Sequence, residues 1–182
     1  MQIITGKYRA RKLDAVRGDT TRPTLARVKE SIFNLLSVGY SNLIVLDLFA
    51  GSGAYGIECI SRGAKKVIFV DREKEAVRTI TNNTRNMNDD FEIIHLDYEK
   101  ALNNFAEKKL KFDLVFLDPP YKSDYLQKSL ELLHLLKLLK KGAIIVCEHE
   151  FENDLQSLPN CYIIKKSRKY GIAYVDIIVF NG

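Results

Sequence analysis

Val45-Leu46-Asp47-Leu48-Phe49-Ala50-Gly51-Ser52-Gly53-Ala54-Tyr55-Gly56 carries an apolar segment into a glycine turn that opens a helix. Residues 43–49 are apolar except for Asp47, the pattern of a strand covered on both faces of a parallel sheet. The G-x-G-x-x-G spacing of Gly51, Gly53 and Gly56 lets the backbone turn tightly and approach a ligand, so that N–H groups at the helix start face it. That spacing alone suits a dinucleotide as well. Asp47 discriminates, because a carboxylate four residues before the first glycine meets a cationic ammonium or its water and repels a pyrophosphate.

Outward from this stretch the alternation repeats. Residues 66–71, 91–96 and 112–118 read as strands, and 54–62, 73–87, 98–107 and 125–139 as helices, which implies a parallel, doubly wound sheet. Beyond Gly142 the pattern changes: 143–148, 161–167 and 173–180 are strand-like, and the short link 168–172 makes the last pair an antiparallel hairpin at one sheet edge. Upstream, Thr24 can cap a helix whose apolar positions Val28, Ile32, Leu35 and Leu36 recur at helical spacing until about residue 38. Residues 2–16 alternate poorly around Gly6 and suggest a short basic hairpin, an appendage rather than a domain. The expectation is an α/β fold with a seven-stranded, mostly parallel sheet spanning residues 22–182 and a basic N-terminal hairpin or arm over residues 1–21.

The 182 residues suffice for one domain, with 46% hydrophobic and 28% charged residues. No apolar run approaches the roughly 18 residues of a membrane helix, and no secretory leader pattern opens the chain, so a cytoplasmic protein is expected. Cys59, Cys147 and Cys161 lack C-x-x-C spacing and read as buried thiols; His95, His134 and His149 have no ligand spacing, and no metal is expected. The net charge of +5 is uneven: residues 1–29 hold eight Lys or Arg against two acids, a net +6, and the remainder nets −1. A basic arm on a near-neutral body suits a polyanion surface, though a solubilising tail has the same charge.

Three further acids end strands. Asp71 stands twenty residues past Gly51, where a carboxylate can accept from both hydroxyls of a ribose; Asp97, followed by Tyr98, can accept from an adenine amine. A lone strand-end Asp is commonly a helix cap, but three on successive strands favour a nucleoside site. The most specific motif is Leu117-Asp118-Pro119-Pro120-Tyr121. Its prolines remove two N–H groups and stiffen the backbone, so acceptors project into the crevice in fixed positions. An exocyclic base amine is a poor nucleophile; the Asp118 carboxylate and the Pro119 carbonyl, each taking one N–H, would turn its lone pair toward an electrophilic methyl, with Tyr121 stacking on the base. The plainer alternative is a strand-ending Pro-Pro turn with Tyr121 in the core. A dehydrogenase would leave the Pro-Pro motif and the basic arm without a role, whereas a DNA amino-methyltransferase acting at adenine N6 or cytosine N4 would use the same motif.

Asp47-Leu48-Phe49-Ala50-Gly51-Ser52-Gly53 together with Asp118-Pro119-Pro120-Tyr121 resembles the Rossmann-like class I amino-methyltransferases. Residues 3–13 and 22–34, with the closing Lys169-Tyr170-Gly171, resemble more narrowly the bacterial 16S rRNA guanine-N2 methyltransferases of the RsmD type. The resemblance covers nearly the whole chain. It implies S-adenosylmethionine as cofactor, S-adenosylhomocysteine as product, and as substrate the N2 amine of a guanine in 16S rRNA, within the small ribosomal subunit or a late assembly intermediate. It places Thr24 and Arg27 near the methionine end of a cofactor held also by Asp47, Phe49, Ala50, Gly51, Gly53, Asp71, Asp97 and Tyr98. It gives the RNA contacts to Lys7, Arg9, Arg11, Lys12 and Arg22. Two positions depart from the family: Ala10 stands where Gly is frequent, and Asp71 where Glu is.

Overall fold

Every run read as a strand enters one sheet in the computed structural model, which describes residues 1–16, 23–36, 38–120, 124–150, 155 and 158–182. The strands are β1 (Ile44–Asp47), β2 (Lys66–Asp71), β3 (Phe91–His95), β4 (Phe112–Leu117), β5 (Leu139–His149), β6 (Tyr162–Tyr170) and β7 (Ala173–Phe180). The helices are α1 (Pro23–Leu36), α2 (Ala54–Ser61), α3 (Lys74–Asn83), α4 (Tyr98–Glu107) and α5 (Tyr125–Leu135). The sheet order is β3-β2-β1-β4-β5-β7-β6; β1 to β5 run parallel, while β7 is antiparallel to both β5 and β6. The expected C-terminal hairpin is there, with β6 at the sheet edge.

Successive residues of the central strands serve opposite faces, which is why both had to be apolar. Leu46, Ile68 and Val70 pack with Leu102 and Phe105 of α4 and Leu130 and Leu133 of α5. Val45, Val67 and Phe69 pack on the other face with Ile32 and Phe33 of α1 and Ile57 and Ile60 of α2.

Several boundaries differ from expectation. The expected helix 125–139 stops at Leu135, because Lys137 turns left-handed at φ 54° and Leu138 N donates to Leu133 O at 3.0 Å. Leu139 then pairs with Phe112, and Lys140 bonds Asp113 at 2.7 Å, so the sheet takes residues that helical periodicity had claimed. Helix 73–87 likewise shortens to Lys74–Asn83, ended by the left-handed Asn86. β6 runs three residues further than expected, to a turn at Gly171 with φ 65°. Of the three thiols, Cys59 and Cys147 are buried but Cys161 is only half-buried, its Sγ 3.5 Å from His134 Nδ1.

The N-terminal hairpin closes through a Gln2–Lys12 bridge and is bound into the body rather than appended to it. Ile3 and Leu13 join the core cluster of α1 and α2. Glu58 on α2 accepts from Ile4 N (2.8 Å) and Thr5 N (3.1 Å), and Ser61 O accepts from Lys7 N at 2.9 Å. Gly6, at φ 87°, allows this approach: a Cβ there would lie 1.8 Å from Ser61 O.

Candidate active site

The chain's path turns from β3, at one edge of the sheet, to β4 beside β1, so β1 and β4 flank the topological switch where open α/β sheets bind ligands at the strands' carboxyl ends. Asp47, Asp71, Asp97 and Asp118 all lie at that edge, on or just after β1 to β4. Asp47 is 2% exposed and its Oδ2 accepts from Gly56 N at 2.9 Å. Burial pushes its pKa up to about 7, the Gly56 N–H opposing and the charge of Asp71 adding. A helix amide that could face a phosphate is therefore already taken by a carboxylate, which counts against a dinucleotide in this turn. Asp71 holds the turn from the other side: Oδ2 accepts from Gly51 N and Oδ1 from Glu73 N, each at 2.8 Å. Gly51 and Gly53 take φ of 53° and 76°, values that admit glycine freely. Asp97 caps α4 by accepting from Glu99 N at 2.9 Å.

Beside Asp97 stands an aromatic group. Phe49 stacks on Tyr125 (6.2 Å between centroids, 1° between planes), and Tyr98 packs against both at 5.4 and 5.1 Å. Tyr98 is buried, so it backs the other two rings. Ala50 is buried too, and its N–H donates to Val70 O at 3.0 Å.

Asp118 is half-buried, Pro119 buried and Pro120 exposed. Tyr121 and Arg22, and the side chain of Thr24, lie outside the described residues. Arg27 is exposed on the first turns of α1. In the hairpin, Lys7 is ion-paired with Asp89, which also accepts from Tyr8 Oη at 2.7 Å, and Arg11 donates to Arg85 O at 2.6 Å. The side chains of Arg9 and Lys12 are exposed and make no hydrogen bond or ion pair among the described residues.

Two site residues were not expected from the sequence. Glu148, near the end of β5, is 3% exposed and its Oε2 accepts from Tyr55 Oη at 2.7 Å. The Tyr55 ring, one residue into α2, stacks on Phe116 of β4 with 5.0 Å between centroids and 3° between planes. Burial holds the Tyr55 hydroxyl protonated well above the usual range, and the carboxylates of Glu148, Asp118 and Asp47 reinforce this. Burial also raises Glu148, with the Tyr55 hydrogen bond and His149 opposing. One phenol thus sits among the acids that end three adjacent strands. Next to it, His149 Nε2 and Asp176 form a buried pair at 2.7 Å.

A seven-stranded sheet of this order, with an acid-flanked glycine turn after its first strand, is the Rossmann-like methyltransferase fold. The profile of the family described as Conserved hypothetical protein 95, to which the RsmD-type enzymes belong, matches residues 1–179, and the chain is a member of that family. It is 38% identical to "Putative rRNA methyltransferase YlbH" of Bacillus subtilis, over all of both chains. It is 34% identical to ribosomal RNA small subunit methyltransferase D of Haemophilus influenzae, over 96% of this chain and 91% of that one. Among solved structures, "Putative methyltransferase yhhF" of Escherichia coli superposes with a TM-score of 0.86 at 27% identity, covering 100% of this chain and 98% of that one.

Proposed function

We propose that the chain transfers a methyl group from S-adenosylmethionine to the N2 amine of a guanine in 16S rRNA, within the small ribosomal subunit or a late assembly intermediate. The observation that carries this reading is Asp118, half-buried after β4 and followed by two prolines, one strand over from the acid and glycine turn of β1. The rRNA methyltransferases among its relatives support the substrate class. In this reading residues 1–21 are an RNA-contacting arm on a methyltransferase domain of residues 22–182, working in the cytoplasm where ribosomes assemble.

The residues present fit the cofactor. Asp47 offers a cationic ammonium a buried carboxyl beside the start of α2. Each oxygen of Asp71 takes one amide and keeps a lone pair for a ribose hydroxyl. Phe49 and Tyr125 give a purine flat apolar surface near Asp97. When bound, S-adenosylmethionine supplies an electrophilic methyl on a positively charged sulfur. Asp118 and the Pro119 carbonyl each accept one N–H of the amine and turn its lone pair outward; Asp118 stabilises the positive charge that grows on nitrogen and takes the N–H proton that the methylated amine sheds.

Small subunits from a strain lacking the enzyme, incubated with methyl-labelled cofactor and digested, should yield labelled N2-methylguanosine. Asp118→Ala should lower that rate by about 100-fold or more while cofactor binding, followed by calorimetry, persists. Label in N6-methyladenine would refute the base assignment, and binding of NADH in place of S-adenosylmethionine would refute the whole reading.

A further inference from the structure

The Watson–Crick edges of the three bases with exocyclic amines differ beside that amine. Guanine presents the N1–H donor; adenine presents the N1 lone pair and cytosine the N3 lone pair. An acceptor set next to the amine-orienting group therefore selects guanine, provided water cannot replace the missing bond.

Glu148 meets these conditions. Leu117 and Cys147 are register partners on parallel β4 and β5, so Asp118 and Glu148 follow side by side on strands about 4.8 Å apart. Phe116 and Val146 belong to the cluster on the α1–α2 face and Leu117 and Cys147 to the opposite one, so the alternation returns Asp118 and Glu148 to the α2 side, where both reach the surroundings of Tyr55. Tyr55 Oη fixes Glu148 through Oε2, and its ring is clamped on Phe116, so the carboxylate is held in one orientation. At 3% exposure there is almost no solvent to repair a mismatch. Nothing in the Asp118–Pro119 arrangement needs this second acid, since those two acceptors satisfy both hydrogens of the amine.

We infer that Glu148 is the guanine-reading residue, its free carboxylate oxygen accepting the base N1–H while Asp118 and Pro119 hold the N2 amine, with Tyr55 as the positioning residue that orients it. This rests on the proposed N2-methylation of guanine and adds how that base is chosen. An adenine or cytosine turned so that its amine meets Asp118 sets a ring lone pair against the Glu148 carboxylate, a repulsive contact as well as a missing bond.

The test uses 2-aminopurine, which keeps the 2-amine but has a lone pair at N1. Once nucleoside mapping has located the natural target, small subunits are reconstituted with guanine or 2-aminopurine at that position and methyl transfer to each is timed. The wild-type enzyme should methylate 2-aminopurine about 10- to 100-fold more slowly than guanine, the worth of a hydrogen bond to a charged group. Glu148→Gln, whose amide can donate to N1, should slow guanine and bring the two rates within about threefold or invert them. Equal wild-type rates on the two bases would overturn the assignment of Glu148 while leaving N2 methylation intact. So would a Glu148→Gln enzyme that slows on both with their ratio unchanged, the sign of a merely structural role. No methylation of guanine by the wild type would instead remove the reading beneath it. The wild-type comparison requires no variant to fold.

Discussion

Asp47 is a buried carboxyl whose ionisation is far from its ordinary state. A free Asp carboxyl ionises near pH 4, whereas Asp47, 2% exposed, is pushed up to about 7 by burial. Between those values the folded chain keeps a proton that the unfolded chain has released. Stability therefore falls as pH rises through that window, and the full cost is present above about pH 7. Asp47→Asn retains an oxygen for Gly56 N and carries no charge. Cofactor-free Asp47→Asn should thus be more stable than wild type at pH 8, on the order of a few kcal/mol, with the gap closing toward pH 4 in urea titrations. A gap independent of pH would mean that Asp47 is ionised throughout. At this scale the strand-end acids could be read from the chain, because an Asp interrupting or closing an apolar run is a local signal. Glu148 closes an apolar run in the same manner and that signal was available. What the sequence hides is its partner, since Tyr55 lies 93 residues away and only the sheet order brings the two together. Ala10 shows the reverse case. Nothing in its local sequence marks it, yet its φ of 66° is a left-handed position that an alanine occupies under strain.

Among elements, the join between hairpin and α2 depends on a buried cluster of charge. Glu58, fully buried, meets Lys29 Nζ at 3.0 Å and Arg62 Nε at 3.1 Å while accepting the Ile4 and Thr5 amides. Lys29 is itself 1% exposed and also donates to Gln2 O. α1, α2 and the hairpin are thus tied at one carboxylate, four residues along α2 from Ala54, where the glycine turn ends. Removing one member of a buried ion pair strands the other, at about 3 to 5 kcal/mol. Glu58→Ala should lower the unfolding free energy by that amount, and the Ile4 and Thr5 amides should lose hydrogen-exchange protection ahead of the β-sheet core. A loss below about 1 kcal/mol with both amides still protected would show that apolar packing of Ile3 and Leu13 alone seats the hairpin. The helices and strands were legible because their periodicity is local, whereas this cluster was not. Lys29 and Glu58 read as ordinary surface charges on amphipathic helices until packing sets them face to face, and the end of α5 escapes the sequence because Leu136, Leu138 and Leu139 continue a helical pattern that pairing with β4 overrides.

For the molecule as a whole, the hairpin and the carboxyl edge of the sheet act as one surface, because α2 links them and Asn83 bridges them: its Nδ2 donates to Asp14 O at 3.0 Å and to Ser52 O, in the glycine turn, at 2.9 Å. An RNA bound as proposed, on the hairpin, would therefore stand in a defined relation to the crevice. The uneven charge of the sequence suits such a surface and suits a solubilising tail equally, and it does not say which cations remain available for phosphates. The Lys7 and Arg11 side chains are spent on Asp89 and the Arg85 carbonyl, whereas those of Arg9 and Lys12 are exposed with no ion pair or hydrogen bond among the described residues. Each phosphate left without its cation should lower the slope of log affinity against log salt by about 0.7 to 0.9, so Arg9→Glu with Lys12→Glu should flatten it by roughly 1.4 to 1.8. Neither residue touches the glycine turn or the aromatic group beside Asp97, so calorimetric affinity for the cofactor should stay at the wild-type value. Lys7→Glu provides the contrast: it sets a second negative charge against Asp89 and should loosen the hairpin, lowering stability as well as RNA affinity. An RNA salt slope unchanged in the Arg9→Glu, Lys12→Glu variant would assign the hairpin's charge to solubility and move the phosphate-binding cations to another face of the molecule.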